Sequence, residues 1–126
     1  MTILTEGTHA GEFLVSEANV GGTGVSRSRD SAVVVSGQNL VAGAVVGKIT
    51  ASGKFTEYDD AAVDGSEVAA GILFDAVDAS AADANGVVIV RDAEFNAAEV
   101  TWKSGASQGD IDAGTADLLA IGVIAR

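Results

Sequence analysis

Few side chains in this sequence have the types and spacing that chemistry requires. Gly43-Ala44-Val45-Val46-Gly47-Lys48 comes nearest to a phosphate-binding loop. Such a loop needs four residues between its glycines and a Ser or Thr after the lysine to reach Mg²⁺. Here only Ala44, Val45 and Val46 intervene, and Ile49 stands after the lysine. Asp110, Asp112 and Gly114 echo the start of a calcium loop. The glycine is displaced, however, and Ile121 stands where a bidentate Glu belongs. His9 is the single histidine, so it has neither a second imidazole nor a cysteine with which to hold a metal. In a loose leader it is also not oriented as the base of a nucleophilic triad. The acid pairs Asp59/Asp60 and Glu94/Glu99 could act as acid and base only in a pocket, and nothing in the sequence builds one. Lys54 comes after Ser52-Gly53 at a turn, as a lipoyl- or biotinyl-carrier lysine would, but lacks the flanking motif of such a module. The sequence therefore reads as non-enzymatic, with no catalytic residues, no cofactor and no metal.

The elements around these residues are mostly strands. Ala32–Ser36 is a β-branched run, and Gly37-Gln38-Asn39 reads as a turn. Ala44–Ala51 and Lys54–Tyr58 flank Ser52-Gly53 as a hairpin. Asp59–Gly65 is a polar loop; Val68–Asp75 and Gly86–Arg91 are strands joined by the alanine-rich loop Ala76–Asn85. Glu94–Trp102 is a further β excursion. Ser107–Ala120 is the one expected helix, with Ser107 as its cap and Asp110 and Asp112 in the first turns, where the helix dipole favours acids. Ile111, Leu118 and Leu119 form its apolar side, while Gly109 and Gly114 weaken it. Ile121–Ala125 closes the chain as a strand. The fold class is mainly β, a small α+β domain.

Residues 1–31 differ in character from the remainder of the chain. They are rich in Gly, Ser and Thr, include the stretch Gly21–Gly24, and cannot bury enough apolar surface to offset their own ordering entropy. They read as an extended arm, flexible when free, before a compact domain over 32–126. One alternating island, Glu12-Phe13-Leu14-Val15-Ser16, has strand character. It suits either a strand of the domain's own sheet or an arm that adds to a partner's exposed sheet edge. In the second case Phe13 and Val15 face one side and Leu14 the other.

Composition narrows the partners. The 126 residues carry a net charge of −11, a field that repels nucleic acid and anionic membranes. Without a cysteine, a reducing compartment or assembly into something larger is favoured. No apolar stretch is long enough to span a bilayer as a helix, and Met1–Leu4 opens no signal peptide. A soluble protein is expected.

Taken in order, several phrases resemble the lambda-type phage head decoration, or capsid-stabilising, family. They are Val41–Tyr58, the strand Ala69-Ala70-Gly71-Ile72-Leu73, the phrase Phe95–Trp102, and the helix with the closing Ala120–Ile124. Together they span about Val33 to Arg126. Lys103 stands where some members have a proline after the tryptophan, and the Gly-rich insert before Asp30 is a second departure. The resemblance implies a β-tulip-like domain that forms homotrimers at three-fold and quasi-three-fold positions outside an expanded icosahedral head. It implies the major capsid protein of a tailed phage as partner, and a location on the virion's outer surface after a stay in the host cytoplasm. It also implies that the bound protein clamps the shell against internal DNA pressure. Glu12–Ser16 is then the capsid-binding part of the arm, and Trp102, Leu118 and Leu119 are candidates for trimer or shell contact. Copies this acidic repel each other, so such contact must be apolar. The competing reading is a carbohydrate-binding or adhesive β-domain stacking sugars on Trp102 and Tyr58, which the low aromatic content disfavours.

Overall fold

The computed structural model describes residues 3–18 and 27–126; the Gly21–Gly24 stretch lies outside them. The architecture is mainly β, with ten strands and one helix among these residues. Five strands form a barrel in the order β2 (Arg29–Val34), β5 (Phe55–Glu57), β4 (Val45–Lys48), β6 (Ala69–Leu73) and β8 (Ala84–Ile89). Beside it lies a three-stranded sheet ordered β1 (Leu14–Glu17), β9 (Ala93–Phe95) and β10 (Val123–Ala125). A short ribbon pairs β3 (Gln38–Leu40) with β7 (Val77–Ala79).

The apolar doublets of the sequence explain the layering. Adjacent residues on a strand point to opposite faces. Val45, Ile72 and Ile89 enter an outer cluster with Phe13, Phe95, Leu118 and Val123. Their neighbours Val46, Leu73 and Val88 fill the barrel with Val34, Phe55 and Val77. Strands β4, β6 and β8 are thus covered on both faces, which is why they read as continuous rather than alternating apolar runs.

Helix α1 (Gln108–Ala120) lies over the outer cluster. The Ser107 hydroxyl accepts from the Asp110 amide at 3.1 Å, and the Asp110 carboxylate accepts from the Ser107 amide at 3.0 Å, a capping box. Its buried stripe is Gly114 and Leu118. A side chain at Gly114 would stand 2.6 Å from the Trp102 ring and 2.9 Å from Tyr58, so this glycine admits two rings against the helix. That close approach outweighs the propensity cost that weakened the helix on paper.

Four expectations change. Of the β excursion Glu94–Trp102 only Glu94 and Phe95 lie in a strand, β9; residues 97–99 turn, and Thr101 forms a single bridge with Ala44. Gln38 and Asn39 do not turn; the turn lies at Ser36-Gly37, and both residues enter β3. The loop Ala76–Asn85 contains β7 and the start of β8. The boundary at 31/32 falls inside β2, and part of the presumed arm is built into the body: Phe13 is fully buried, and β1 pairs with β9. The physical reason is that a wall of the outer cluster is missing without Phe13.

Closure of the barrel is uneven. β2 pairs with β8 over Arg29–Val34, but with β5 only through Val34 and Phe55. Among the described residues, no strand covers the other edge of Arg29–Val33.

Candidate interaction surfaces

Most of the residues that suggested chemistry serve the fold. Gly47 lies on β4, where a side chain would meet the Ser66 backbone at 2.5 Å. Asp110 caps the helix and Asp112 accepts from Gln108 at 2.9 Å. His9 lies between Glu6 at 3.5 Å and Glu12 at 3.3 Å on open surface. Asp59 pairs with Lys103 at 2.5 Å, and Lys103 holds its carboxyl below the usual range. Glu94 is held low likewise, by Arg126 at 2.6 Å. Lys54 pairs with Asp83.

Tyr58 is buried and donates to the Asp110 carbonyl at 3.0 Å. Burial first, then the nearby Asp60 charge, push its hydroxyl up to about 12. Trp102 meets it edge-on at 5.9 Å between centroids and is half-buried. The two aromatics that a sugar platform would need are therefore packed on each other under a helix.

The surfaces left for binding begin at the leader. Residues 3–9 have no regular structure, and Ile3 and Leu4 are 82% and 91% exposed. The leader docks at Gly11, whose amide donates to the Phe74 carbonyl at 3.0 Å. Within the island Glu12–Ser16, the expected facing fails. Phe13 is buried, Leu14 half-buried, and Glu12, Val15 and Ser16 exposed. Pairing skips a residue between Leu14/Phe95 and Ser16/Glu94, and this bulge breaks the alternation that placed Phe13 and Val15 together.

Strand β1 is held at its far end by charge. The Glu17 carboxylate accepts from the buried Ser28 hydroxyl at 2.5 Å and from Arg29 Nε at 3.1 Å, and Arg29 also contacts it through a second nitrogen. Arg29 is held protonated above its ordinary value, chiefly by that hydrogen bond, and its guanidinium lies 4.0 Å from the Phe74 ring centroid. One cluster thus ties the leader's dock, β1 and β2 together.

The helix candidates separate. Leu118 is fully buried, so it belongs to the core and cannot be a contact residue. Leu119 is 59% exposed and neighbours the exposed Ile121, which sequence reasoning assigns to the closing strand. Ile3 and Leu4 escape sequence reasoning as binding residues, although an apolar pair in a polar leader is a readable signal.

No curated protein matches the sequence. The family model of bacteriophage lambda head decoration protein D matches residues 3–123, from the exposed leader to the final strand. The chain belongs to the bacteriophage lambda head decoration protein D family, whose place is the outer surface of the phage capsid.

Proposed function

We propose that the protein binds the expanded icosahedral head as a homotrimer at three-fold and quasi-three-fold positions and clamps the major capsid protein against internal DNA pressure. The observation that carries this reading is an apolar pair, Ile3 and Leu4, on a leader that leads directly into β1 at the edge of its sheet. The leader up to Ala10 becomes ordered on the shell. Of the island Glu12–Ser16, the exposed Glu12, Val15 and Ser16 extend that contact, while Phe13 and Leu14 hold the body.

Burying one such side chain gives roughly 1.5–3 kcal/mol before ordering costs, which is weak for one leader. Three leaders on one trimer raise the effective concentration and hold together what one cannot. Leu119, exposed on the last turn of the helix, is suited to subunit contact, with the exposed Ile121 and the exposed part of Trp102 as further candidates. Co-sedimentation with purified heads tests the reading. Binding to expanded empty heads, and not to unexpanded ones, is the expected result. Equal or absent binding to both forms contradicts it.

A further inference from the structure

The barrel is closed between β2 and β5 by one residue pair, and this leaves a second feature that the leader does not use. Along the uncovered edge of Arg29–Val33 runs an open groove of about 650 Å³, lined by Asp30, Ala32, Val33, Lys48, Phe55 and Val87, among others. Val33 is exposed there, so the groove combines a strand edge unpaired among the described residues with apolar surface.

Its charge is unusual for this molecule. The seven Lys and Arg residues comprise Arg27, Arg29, Lys54, Arg91, Lys103 and Arg126, each paired with a carboxylate, and Lys48. Among the described residues no carboxylate pairs with Lys48; its ammonium lies 5.9 Å from the Phe55 ring centroid instead. Asp30, the groove's own acid, is already engaged by Arg91 at 2.8 and 3.0 Å. Among the described residues, then, a cation without an acid stands beside an open strand edge on a chain of net charge −11.

We propose that this groove receives an extended segment of the shell subunit, added as a strand along Arg29–Val33, with apolar residues on Val33 and a carboxylate on Lys48. Strand addition draws affinity from main-chain hydrogen bonds and specificity from the side chains beside them. An unprotected edge is otherwise an aggregation hazard, which gives a partner for it a further benefit. The shell is favoured over a second copy because the groove adjoins the leader. The β2 edge starts at Arg29, which bonds Glu17 of β1 and covers Phe74, the residue on which the leader docks. The inference rests on the capsid reading given above.

The test uses the full chain and expanded empty heads. Lys48→Glu and Val33→Glu alter exposed side chains, so thermal melting checks that both variants remain folded. Each is expected to weaken head binding at least tenfold, while Lys48→Arg binds like the parent. In the parent, hydrogen exchange of the Arg29–Val33 amides is expected to slow on the heads. If the parent binds heads, but both variants bind as tightly and exchange is unchanged, the groove inference is overturned and the capsid reading stands. If the parent itself fails to bind, the capsid reading fails and takes the groove with it. If the substitutions change sedimentation of the free protein rather than head affinity, the occupant is a second copy and the proposal is wrong.

Discussion

Ile3 and Leu4 lie open to solvent, whereas Phe13, in the same leader, has no exposed surface and packs with Phe95, Ile72 and Leu118. Both stretches set a short apolar run, Ile3-Leu4 or Phe13-Leu14-Val15, among small and polar residues. What separates them is a partner. The inner stretch meets β9, the Phe74 carbonyl and the Glu17–Arg29 pair; among the described residues nothing on the body buries the outer stretch. A leader of this kind holds one end fixed on its own domain and leaves the other end exposed.

The largest expected effect breaks the inner half. Phe13→Ala should destabilise the isolated protein by about 3–5 kcal/mol in urea unfolding, because it empties a fully enclosed ring site. Removal of residues 1–18 should be at least as damaging, so that truncation does not report on shell binding alone. A loss below about 1 kcal/mol for Phe13→Ala would show that the inner half is not part of the core.

Smaller losses are expected where the inner half and the helix are fastened. Glu17→Ala leaves Ser28 and Arg29 without this acceptor, and about 1–3 kcal/mol is expected by the same measurement. Gly114→Ala should cost about 1–3 kcal/mol by overpacking against Trp102 and Tyr58, despite a gain of up to about 1 kcal/mol in helix propensity. A shift in the fluorescence of the single tryptophan should accompany it.

Alkali tests the same packing without mutation. Tyr58 is the only tyrosine, so absorbance titration tracks one group. Its folded value, about 12, lies above the ordinary value of 10.0. The folded state therefore keeps the proton longer. The associated stability is whole below pH 10, and is lost as pH rises from there through about 12. A tyrosine titrating near 10 in the folded protein would mean an open ring. At the small end, Leu4→Ser should change stability by no more than about 0.5 kcal/mol, since the side chain is 91% exposed.

Much of this is legible in the sequence. Ser107 and Asp110 mark the helix start because a capping box is a local interaction, and the doublets Val45-Val46 and Ile72-Leu73 mark strands through their own residues. Strands β3 and β7 are not readable. Each has three residues, polar or small in part, and their extended form comes from pairing with each other across a long sequence separation. For Phe13 the sequence leaves two readings open, a strand of the domain's own sheet or a partner's, and cannot choose the first, since the neighbours that bury the ring come from Val45 to Val123. Leu118 and Leu119 show the limit from another side. Adjacent helix residues lie about 100° apart, so only one can face the core. The spacing from Gly114 to Leu118, one turn apart, picks out which: the glycine makes room for rings on that same stripe.

Among the proposed capsid contacts, the leader is the part that can be removed without touching the core. Deleting residues 3–10 while keeping Gly11 onward leaves the Phe74 dock, Phe13 and β1 in place. The thermal midpoint of the isolated protein should then be unchanged, while protection of expanded heads against heat is lost. Truncated protein that protects heads as well as the full chain would contradict the division of the leader into a fixed inner half and a shell-binding outer half.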